Sequence, residues 1–333
     1  MTAWKQLAKA HELHMPEFSF ANGERRYVKL HCRTLGQLNS ARNNAVLLLH
    51  GTTGSSMQFL QPDMANFLFE RDQSLDHNEY FLIMPDAIGH GESSKPSSAD
   101  GPDFPQYSYM DIVRAQHAVV RELFNIDHLR LILGTSMGGM NTWSWGIAYP
   151  TMMDALMPIA CLPYRLSGHN LLFRRLMLAL IQSDPKYTGN DLVSTSHGLG
   201  MAWNLFQLMI GGHAEFARQF RNVDIADQHI RETAENAESS QQYWDVVWEF
   251  KASHDYDPVE DLEKVQAPLL TLNFTDDQIN GIGFTGLEQD IQRVRRGRSV
   301  IIDAGEEASG HRTLSKAKVW HSYVGGLLAE SAL

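Results

Sequence analysis

A serine between two glycines, directly after an apolar run, constrains the fold of this chain more than any other feature. Residues 129–134 are apolar enough to form a buried strand, and Gly134-Thr135-Ser136-Met137-Gly138 follows with the spacing G-x-S-x-G. Residues 140–149 continue with a helical pattern. A strand that turns sharply into a helix holds its serine exposed and strained, and glycines are needed because a Cβ beside it would meet neighbouring backbone. The pattern predicts that Ser136 is a nucleophile, with a helix N-terminus behind it that favours negative charge.

Short continuous apolar runs recur along the chain and alternate with stretches of helical spacing. The runs are residues 27–32, 44–51, 80–86, 129–134, 268–273 and 299–303, and the clearest helical stretches outside the middle of the chain are 109–124 and 314–328. Runs of this kind are typical of strands buried on both faces of a parallel sheet. Their alternation with helices predicts an α/β fold with a mostly parallel, doubly wound sheet.

The middle of the chain has a different character. Residues 163–257 contain no clear strand run and are rich in Met, Leu, Phe and Trp at helical spacing. We interpret them as a helical cap inserted into a core formed by residues 1–162 and 258–333. Ligands of open α/β sheets bind outside the carboxyl ends of the strands, so a cap there would form a wall of the site.

A serine hydroxyl is a weak nucleophile and needs a base, which a third group orients. Where a serine stands on such a turn, the acid and then the histidine follow it along the chain. His311 comes just after the last strand run and is the predicted base, whereas His321 lies within a helical pattern. Asp276 and Asp277 follow the preceding run, and because adjacent side chains diverge, only one of them can reach His311.

An oxyanion needs two backbone N–H donors beside the nucleophile. The residue after the serine supplies one and the loop after an early strand supplies the other, so Met137 and Thr52 are the predicted donors. His50 and the glycine-rich loop of residues 86–93 are interpreted as structural supports of the site.

Composition excludes several classes of function. The 333-residue chain has a formal net charge of −11, which argues against a nucleic-acid partner. Its two cysteines fit neither a disulfide framework nor a metal site, and no dinucleotide or phosphate-binding glycine loop is found, so we expect no cofactor and no metal. No apolar run approaches the roughly 18–20 residues of a membrane span, and the N-terminus has no signal-peptide pattern. We therefore expect a cytoplasmic protein without a membrane partner; the sequence is compatible with a homodimer.

Together these residues resemble the α/β-hydrolase superfamily. The resemblance rests on Leu49-His50-Gly51, Asp86-x-x-Gly89-x-Gly91-x-Ser93, Gly134-x-Ser136-x-Gly138, Asp276/Asp277 and Gly310-His311. Within the superfamily the chain is most similar to the homoserine O-acetyltransferase branch and its hydrolase relatives. That similarity is found in residues 44–50 with Thr53-Gly54-Ser55, Phe104-Pro105 with Asp111 and Gln116, residues 136–140, and Arg174/Arg175 with Ile181, Asp184-Pro185 and Gly189. Aligning residues 273–281 with the acid loop of this branch implies that Asp277 is the catalytic aspartate.

One departure from the branch bears on the substrate. The acetyltransferases recognise the carboxylate of their amino acid with a cap arginine, and Trp203 aligns with that position. An aromatic ring cannot pair with a carboxylate. The resemblance therefore implies an apolar substrate pocket that includes Trp203.

We accordingly expect a serine hydrolase that cleaves a small-molecule carboxylic ester, or a related acyl substrate, through an acyl-enzyme, with Ser136, His311 and Asp277 as its triad. An O-acyltransferase that uses an acyl-CoA donor is the alternative, which Arg174 and Arg175 keep open. A ligand-binding protein without catalysis is less favoured because all three triad positions are filled.

Overall fold

An eight-stranded sheet organises the protein in a computed structural model, which describes residues 3–98, 101–184, 197–281 and 286–331. The strands are β1 Lys9–Ser19, β2 Arg25–Leu35, β3 Ala45–Leu49, β4 Phe81–Pro85, β5 Leu131–Thr135, β6 Leu156–Ile159, β7 Leu269–Phe274 and β8 Gly297–Ile302. Their order across the sheet is β1-β2-β4-β3-β5-β6-β7-β8. Strands β3 to β8 run parallel, whereas β1 and β2 form an antiparallel pair that joins β4 in the antiparallel sense.

Helices cover both faces of this sheet. They are α1 Ala3–Leu7, α2 Pro62–Leu68, α3 Tyr109–Ala118, α4 Met137–Ala148, α5 Gly168–Gln182, α6 His197–Ile210, α7 His213–Gln219, α8 Val223–Ser240, α9 Tyr243–Lys251, α10 Leu287–Asp290 and α11 His321–Ser331. One hydrophobic cluster joins the sheet to α3, α4 and several of the helices from α5 to α9, and a second joins it to α2 and α11. Strands β3, β4, β5, β6 and β7 are buried throughout, as residues covered on both faces must be. The predicted α/β fold with a mostly parallel, doubly wound sheet is confirmed.

Helices α5 to α9 lie in the chain between β6 and β7, within the segment interpreted as a cap. No strand occurs among its described residues, 163–184 and 197–257. The residues Pro185 and Gly189, on which part of the sequence similarity rests, lie outside the described residues.

Two strands of the sheet, β1 and β6, are not predicted by the apolar runs of the sequence. Strand β1 is largely exposed and mixes charged with apolar residues, so it lacks the continuous run of a buried strand. Strand β6 has only four residues and includes Pro158, although proline is rare in a central strand because it cannot donate a ladder hydrogen bond.

Two predicted helices differ from the structure. The first is α-helical only to Ala118 and continues as a π-helix over Val119–Leu123. The second begins as 3₁₀ turns at Arg312–Ser315 and Ala317–Val319 and becomes α11 only at His321. The backbone at Lys316 and Trp320 is not helical, which interrupts the expected continuous helix. Among the described residues, no helix combines the length and the apolar character that crossing a bilayer requires.

Candidate active site

Ser136 stands where β5 turns into α4. Its φ of +54° is in a region that residues other than glycine rarely adopt. Such a conformation costs about 1–3 kcal/mol and persists only where the surrounding structure imposes it. A Cβ on Gly134 would lie 2.1 Å from the carbonyl oxygen of Gly138, and one on Gly138 would lie 2.0 Å from that of Leu49. The strand, the turn and the helix therefore pack together only with glycine at both positions, which leaves the serine half-buried at the carboxyl edge of the sheet.

Ser136, His311 and Asp277 form a hydrogen-bonded chain. The Ser136 Oγ lies 2.8 Å from His311 Nε2, and His311 Nδ1 lies 2.7 Å from Asp277 Oδ2. Asp277 also accepts hydrogen bonds from the backbone of Ile279 at 2.9 Å and from the side chain of Asn280 at 2.9 Å. Burial by itself raises the pKa of Asp277, but the His311 charge and these hydrogen bonds outweigh burial and hold the pKa below its ordinary value. Asp277 is thus ionised and ready to hold one orientation of the imidazole.

Asp276 does not contact His311. Its Oδ2 accepts a hydrogen bond from the backbone N–H of Gly310 at 2.6 Å, just before the histidine in the chain. Of the two adjacent carboxylates, one therefore contacts the imidazole and the other anchors the loop that carries it.

The loop after β3 brings Thr52 to the site. The backbone N–H of Gly51 donates to Gln58 Oε1 at 2.8 Å, and Gln58 Nε2 donates to Thr135 Oγ at 2.7 Å, which ties this loop to the serine turn. Among the described residues, no protein acceptor is found for the N–H of Thr52 or Met137, the two predicted oxyanion donors. Met137 is the first residue of α4, where an N–H has no partner within the helix.

Two buried histidines support this loop. His90 Nε2 lies 2.6 Å from the carbonyl oxygen of Thr52, so it can hold the orientation of that residue's peptide. Burial lowers the pKa of His90 to about 3, and the imidazole stays neutral. His50 Nε2 accepts a hydrogen bond from the backbone of Ala87 at 3.0 Å, the bracing role that the sequence predicted for it. The roles of Gln58 and His90 had no signal in the sequence, because polar residues in loops are common and only the folded contacts distinguish these two.

A cavity of about 480 Å³ opens onto Ser136 and His311. Its apolar wall includes Met140 and residues of α6 and α9, and its polar wall includes residues of α5 and of the loops after β3 and β7. The apolar members are Met57, Met140, Ala160, Phe206, Met209, Ile210, Phe250, Ile279 and Leu314. Arg174, which the sequence singled out without a specific role, also lines the cavity.

Trp203, which the sequence predicts to line the substrate pocket, is not among the residues that line this cavity. Its ring packs 5.2 Å from that of Phe206, one turn further along α6. Phe206 occupies the wall instead, and Trp203 lies against the hydrophobic core. The argument that Trp203 replaces a carboxylate-binding residue at the cavity therefore no longer favours hydrolysis over acyl transfer.

The sequence profile described as the alpha/beta hydrolase fold matches residues 44–306. The chain belongs to the alpha/beta hydrolase fold family. The matched segment contains the serine turn and the acid loop, while His311 lies just beyond it. The expected resemblance is confirmed, and so is the coarser functional prediction that the protein is an enzyme of the alpha/beta hydrolase superfamily.

Curated members of the superfamily with two kinds of activity resemble this hydrolase-fold chain. A homoserine O-acetyltransferase of Thermobifida fusca is 31% identical over 60% of the chain and 57% of its own length. An ethyl acetate hydrolase of Pseudomonas veronii is 32% identical over 59% of the chain and 56% of its own length. The chain thus spans little more than half the length of these curated relatives.

Solved structures resemble the chain over nearly its whole length. An acetylester hydrolase from Corynebacterium glutamicum superposes with a TM-score of 0.82 and covers 96% of both chains at 20% identity. Identity this low shows a shared fold and nothing about the substrate. Within the described part of the hydrolase-fold chain, no group of three or more His, Cys, Asp or Glu side chains is arranged to hold a metal ion.

Proposed function

We propose that the protein hydrolyses a small carboxylic ester through an acyl-enzyme on Ser136. The observation that carries the proposal is the hydrogen-bonded chain from Asp277 through His311 to the strained Ser136. Nucleophile, base and orienting acid within hydrogen-bond reach of one another are the arrangement that activates a serine. The cavity at the serine provides room for a small ester.

In the acylation step, Ser136 Oγ attacks the ester carbonyl while His311 Nε2 takes the hydroxyl proton. The carbonyl oxygen becomes an oxyanion that the N–H groups of Thr52 and Met137 stabilise, and each such donor is worth about 3 kcal/mol. Collapse of this intermediate breaks the bond to the alcohol oxygen, which leaves with the proton from His311. Asp277 stabilises the imidazolium and stays ionised throughout.

In the deacylation step, a water replaces the alcohol. His311 takes a proton from this water as it attacks the acyl carbonyl, and the same two N–H groups hold the second oxyanion. Return of the proton to Ser136 Oγ breaks the acyl bond and releases the acid.

Transfer of the acyl group to another alcohol is the second candidate, which the similarity to homoserine O-acetyltransferases favours. It shares the acyl-enzyme on Ser136 and differs in the donor and in the acceptor of the acyl group. An acyl-CoA would be the donor and homoserine or a similar alcohol the acceptor.

The test is turnover of p-nitrophenyl acetate by the wild type and by Ser136→Ala, with and without homoserine. We expect a fall in kcat on the order of a million-fold for Ser136→Ala. Ser144→Ala, which removes a hydroxyl bonded within α4, is the matched control and should retain activity. Rapid acetate release that ignores homoserine supports hydrolysis, whereas accumulation of O-acetylhomoserine supports the transferase. Substantial turnover by a clean Ser136→Ala preparation would contradict both.

Other expectations from the sequence stay predictions. They concern a cap formed by residues 163–257, a homodimer, a cytoplasmic location and the absence of a nucleic-acid partner.

A further inference from the structure

Arg174 on α5 is a buried cation in the wall of the cavity at Ser136. Its side chain and backbone together are only 6% exposed. The guanidinium donates from Nε to Asn170 Oδ1 at 3.0 Å and lies 5.3 Å from the ring centroid of Phe250. Among the described residues, no hydrogen-bond partner is found for Nη1. Arg174 thus lines the cavity, while its Nη1, which is itself shielded from solvent, has no protein partner.

A buried guanidinium without a counter-charge is unusual. Charged side chains are almost never fully buried unless they are paired, and arginine cannot escape the cost by losing its proton. No carboxylate forms an ion pair with Arg174 within the part of the chain that the structure describes. The Asp255 carboxylate, near the start of α3, accepts backbone hydrogen bonds from Tyr109 and Met110 instead. The compensating negative charge is therefore expected to come from outside the protein.

The cavity wall has a local positive character. It contains Arg174 and Arg312, and none of its described residues is Asp or Glu. Arg312 already donates to Glu215 at 3.4 Å and to Gln207, and lies over the ring of Phe216. Because the whole chain carries a net charge of −11, this cationic wall is a property of the site and not of the protein surface in general. Of the two arginines in the cavity wall, Arg174 is therefore the one without a carboxylate partner in the protein.

Arg174 is close to the loop that supplies Thr52. Arg174, Thr52 and Ser136 all line the same cavity. A ligand group bound at Arg174 would therefore share this cavity with the ester that Ser136 attacks. Asn170 and Arg174, one helical turn apart, both line the cavity.

We propose that Arg174, oriented by Asn170, binds a carboxylate carried by the substrate, so that the preferred ester has an anionic group on one side of the bond that Ser136 attacks. The proposal rests on the proposed function of Ser136 and specifies its substrate class. A planar guanidinium matches a carboxylate with parallel hydrogen bonds, and the low dielectric of a buried site strengthens them.

The experiment compares two pairs of esters that have nearly the same shape and differ in charge. Methyl hydrogen succinate and methyl 4-methylpentanoate place the charged or neutral group on the acyl side. Acetoxyacetate and isobutyl acetate place it on the alcohol side. We measure kcat/KM for all four and take the anionic-to-neutral ratio within each pair. One pair should show a preference for the anion, and Arg174→Met should lower that ratio on the order of 100-fold.

Arg175→Met is the matched control. It removes the same charge from the adjacent residue of α5, which is exposed and does not line this cavity. It should leave both ratios unchanged. Arg174→Lys keeps the charge but loses the planar pair of donors, so its ratio should fall between wild type and Arg174→Met. It also serves as the informative variant if Arg174→Met fails to fold.

Binding to Ser136→Ala separates the two proposals. Calorimetric titration with both anionic esters needs no turnover, and Arg174→Met in that background should weaken binding of one of them by a similar factor. If the wild type cleaves no ester but this binding depends on Arg174, the hydrolase proposal fails and the anion site stands. Equal ratios in wild type and Arg174→Met, with binding that ignores the substitution, would overturn the anion site.

Discussion

At the scale of single residues, neighbours in the chain have different tasks. Asp276 and Asp277 are adjacent and chemically identical, yet one accepts a hydrogen bond from the Gly310 backbone and the other contacts His311. Adjacent side chains point in different directions, so a two-carboxylate loop can anchor the histidine loop and orient the imidazole at once. The buried Asp277 carries four hydrogen bonds from Ile279, Asn280 and His311, which compensate its burial.

This division of tasks predicts unequal effects of two matched substitutions. Asp277→Asn should lower kcat by about 10⁴-fold at neutral pH, because an amide can stabilise neither the required tautomer nor the imidazolium. Asp276→Asn keeps an oxygen that can accept from Gly310, so its kcat should stay within about tenfold of the wild type. Steady-state kinetics on p-nitrophenyl acetate measures both. A larger loss in Asp276→Asn would contradict the assignment of Asp277.

At the scale of elements, the serine turn brings the backbones of β3, β5 and α4 into close contact. Gly134 and Gly138 allow α4 to approach β5 and β3 so closely that carbonyl oxygens occupy the space of a side chain. The Ser136 N–H donates to the Ile159 carbonyl at 2.8 Å, which ties the strained residue to the end of β6. The strain at Ser136 is thus sustained by three neighbouring strands and not by the turn alone.

The close approach predicts opposite effects for the same substitution in two helices. Gly138→Ala should destabilise the protein by about 3 kcal/mol, because its Cβ would overlap the Leu49 backbone. Gly326→Ala in α11 meets nothing within 4 Å and should stabilise by about 0.5–1 kcal/mol through helix propensity. Urea unfolding of both variants measures the difference. A Gly138→Ala protein as stable as the wild type would contradict the packing described for the turn.

At the scale of the whole molecule, a buried carboxyl lies where α9 meets the loops after β4. Burial, with the nearby Asp245 charge, raises the pKa of Glu249 well above its ordinary value, and Lys95 opposes the rise. The raised pKa favours the protonated carboxyl in the folded protein at pH values where the unfolded chain is already ionised. His90 Nε2 is 3.8 Å from Glu249 Oε1 but is itself neutral, so it does not compensate the carboxyl.

Because the pKa of Glu249 is raised on folding, we expect Glu249→Gln to increase the stability of the protein by an amount that depends on pH. Because the folded protein binds the extra proton, its unfolding free energy falls as pH rises above the unfolded pKa of about 4.3, until the folded pKa is reached. Glutamine removes this loss, so Glu249→Gln should gain on the wild type by about 1 kcal/mol per pH unit as pH rises from the unfolded pKa toward the folded one.

Denaturant unfolding at several pH values measures this gain. Glu235→Gln, on the exposed side of α8, removes the same charge and is the control. A free-energy difference between Glu249→Gln and wild type that does not change with pH would contradict a raised pKa.

Local patterns in the chain predict most of the sheet and the residues proposed to react. The strands β3, β4, β5, β7 and β8 are local apolar runs, and the serine turn is a local pattern of glycines around Ser136. Local patterns of this kind act on the backbone where they stand, so they can be recognised without knowledge of distant residues. The position of His311 after the last strand and that of Thr52 after β3 follow from the same topology.

The side-chain contacts of the site follow from the tertiary fold and could not be predicted from the sequence. In the folded protein, Asp277 and not Asp276 contacts His311. Phe206 and not Trp203 lines the cavity. Arg174 is buried there without a counter-charge. Strand β6 also forms although it contains Pro158, because it pairs in parallel with β5 on one side and with β7 on the other. Contacts such as these depend on side-chain directions and on residues that are distant in the chain, and no local pattern encodes those.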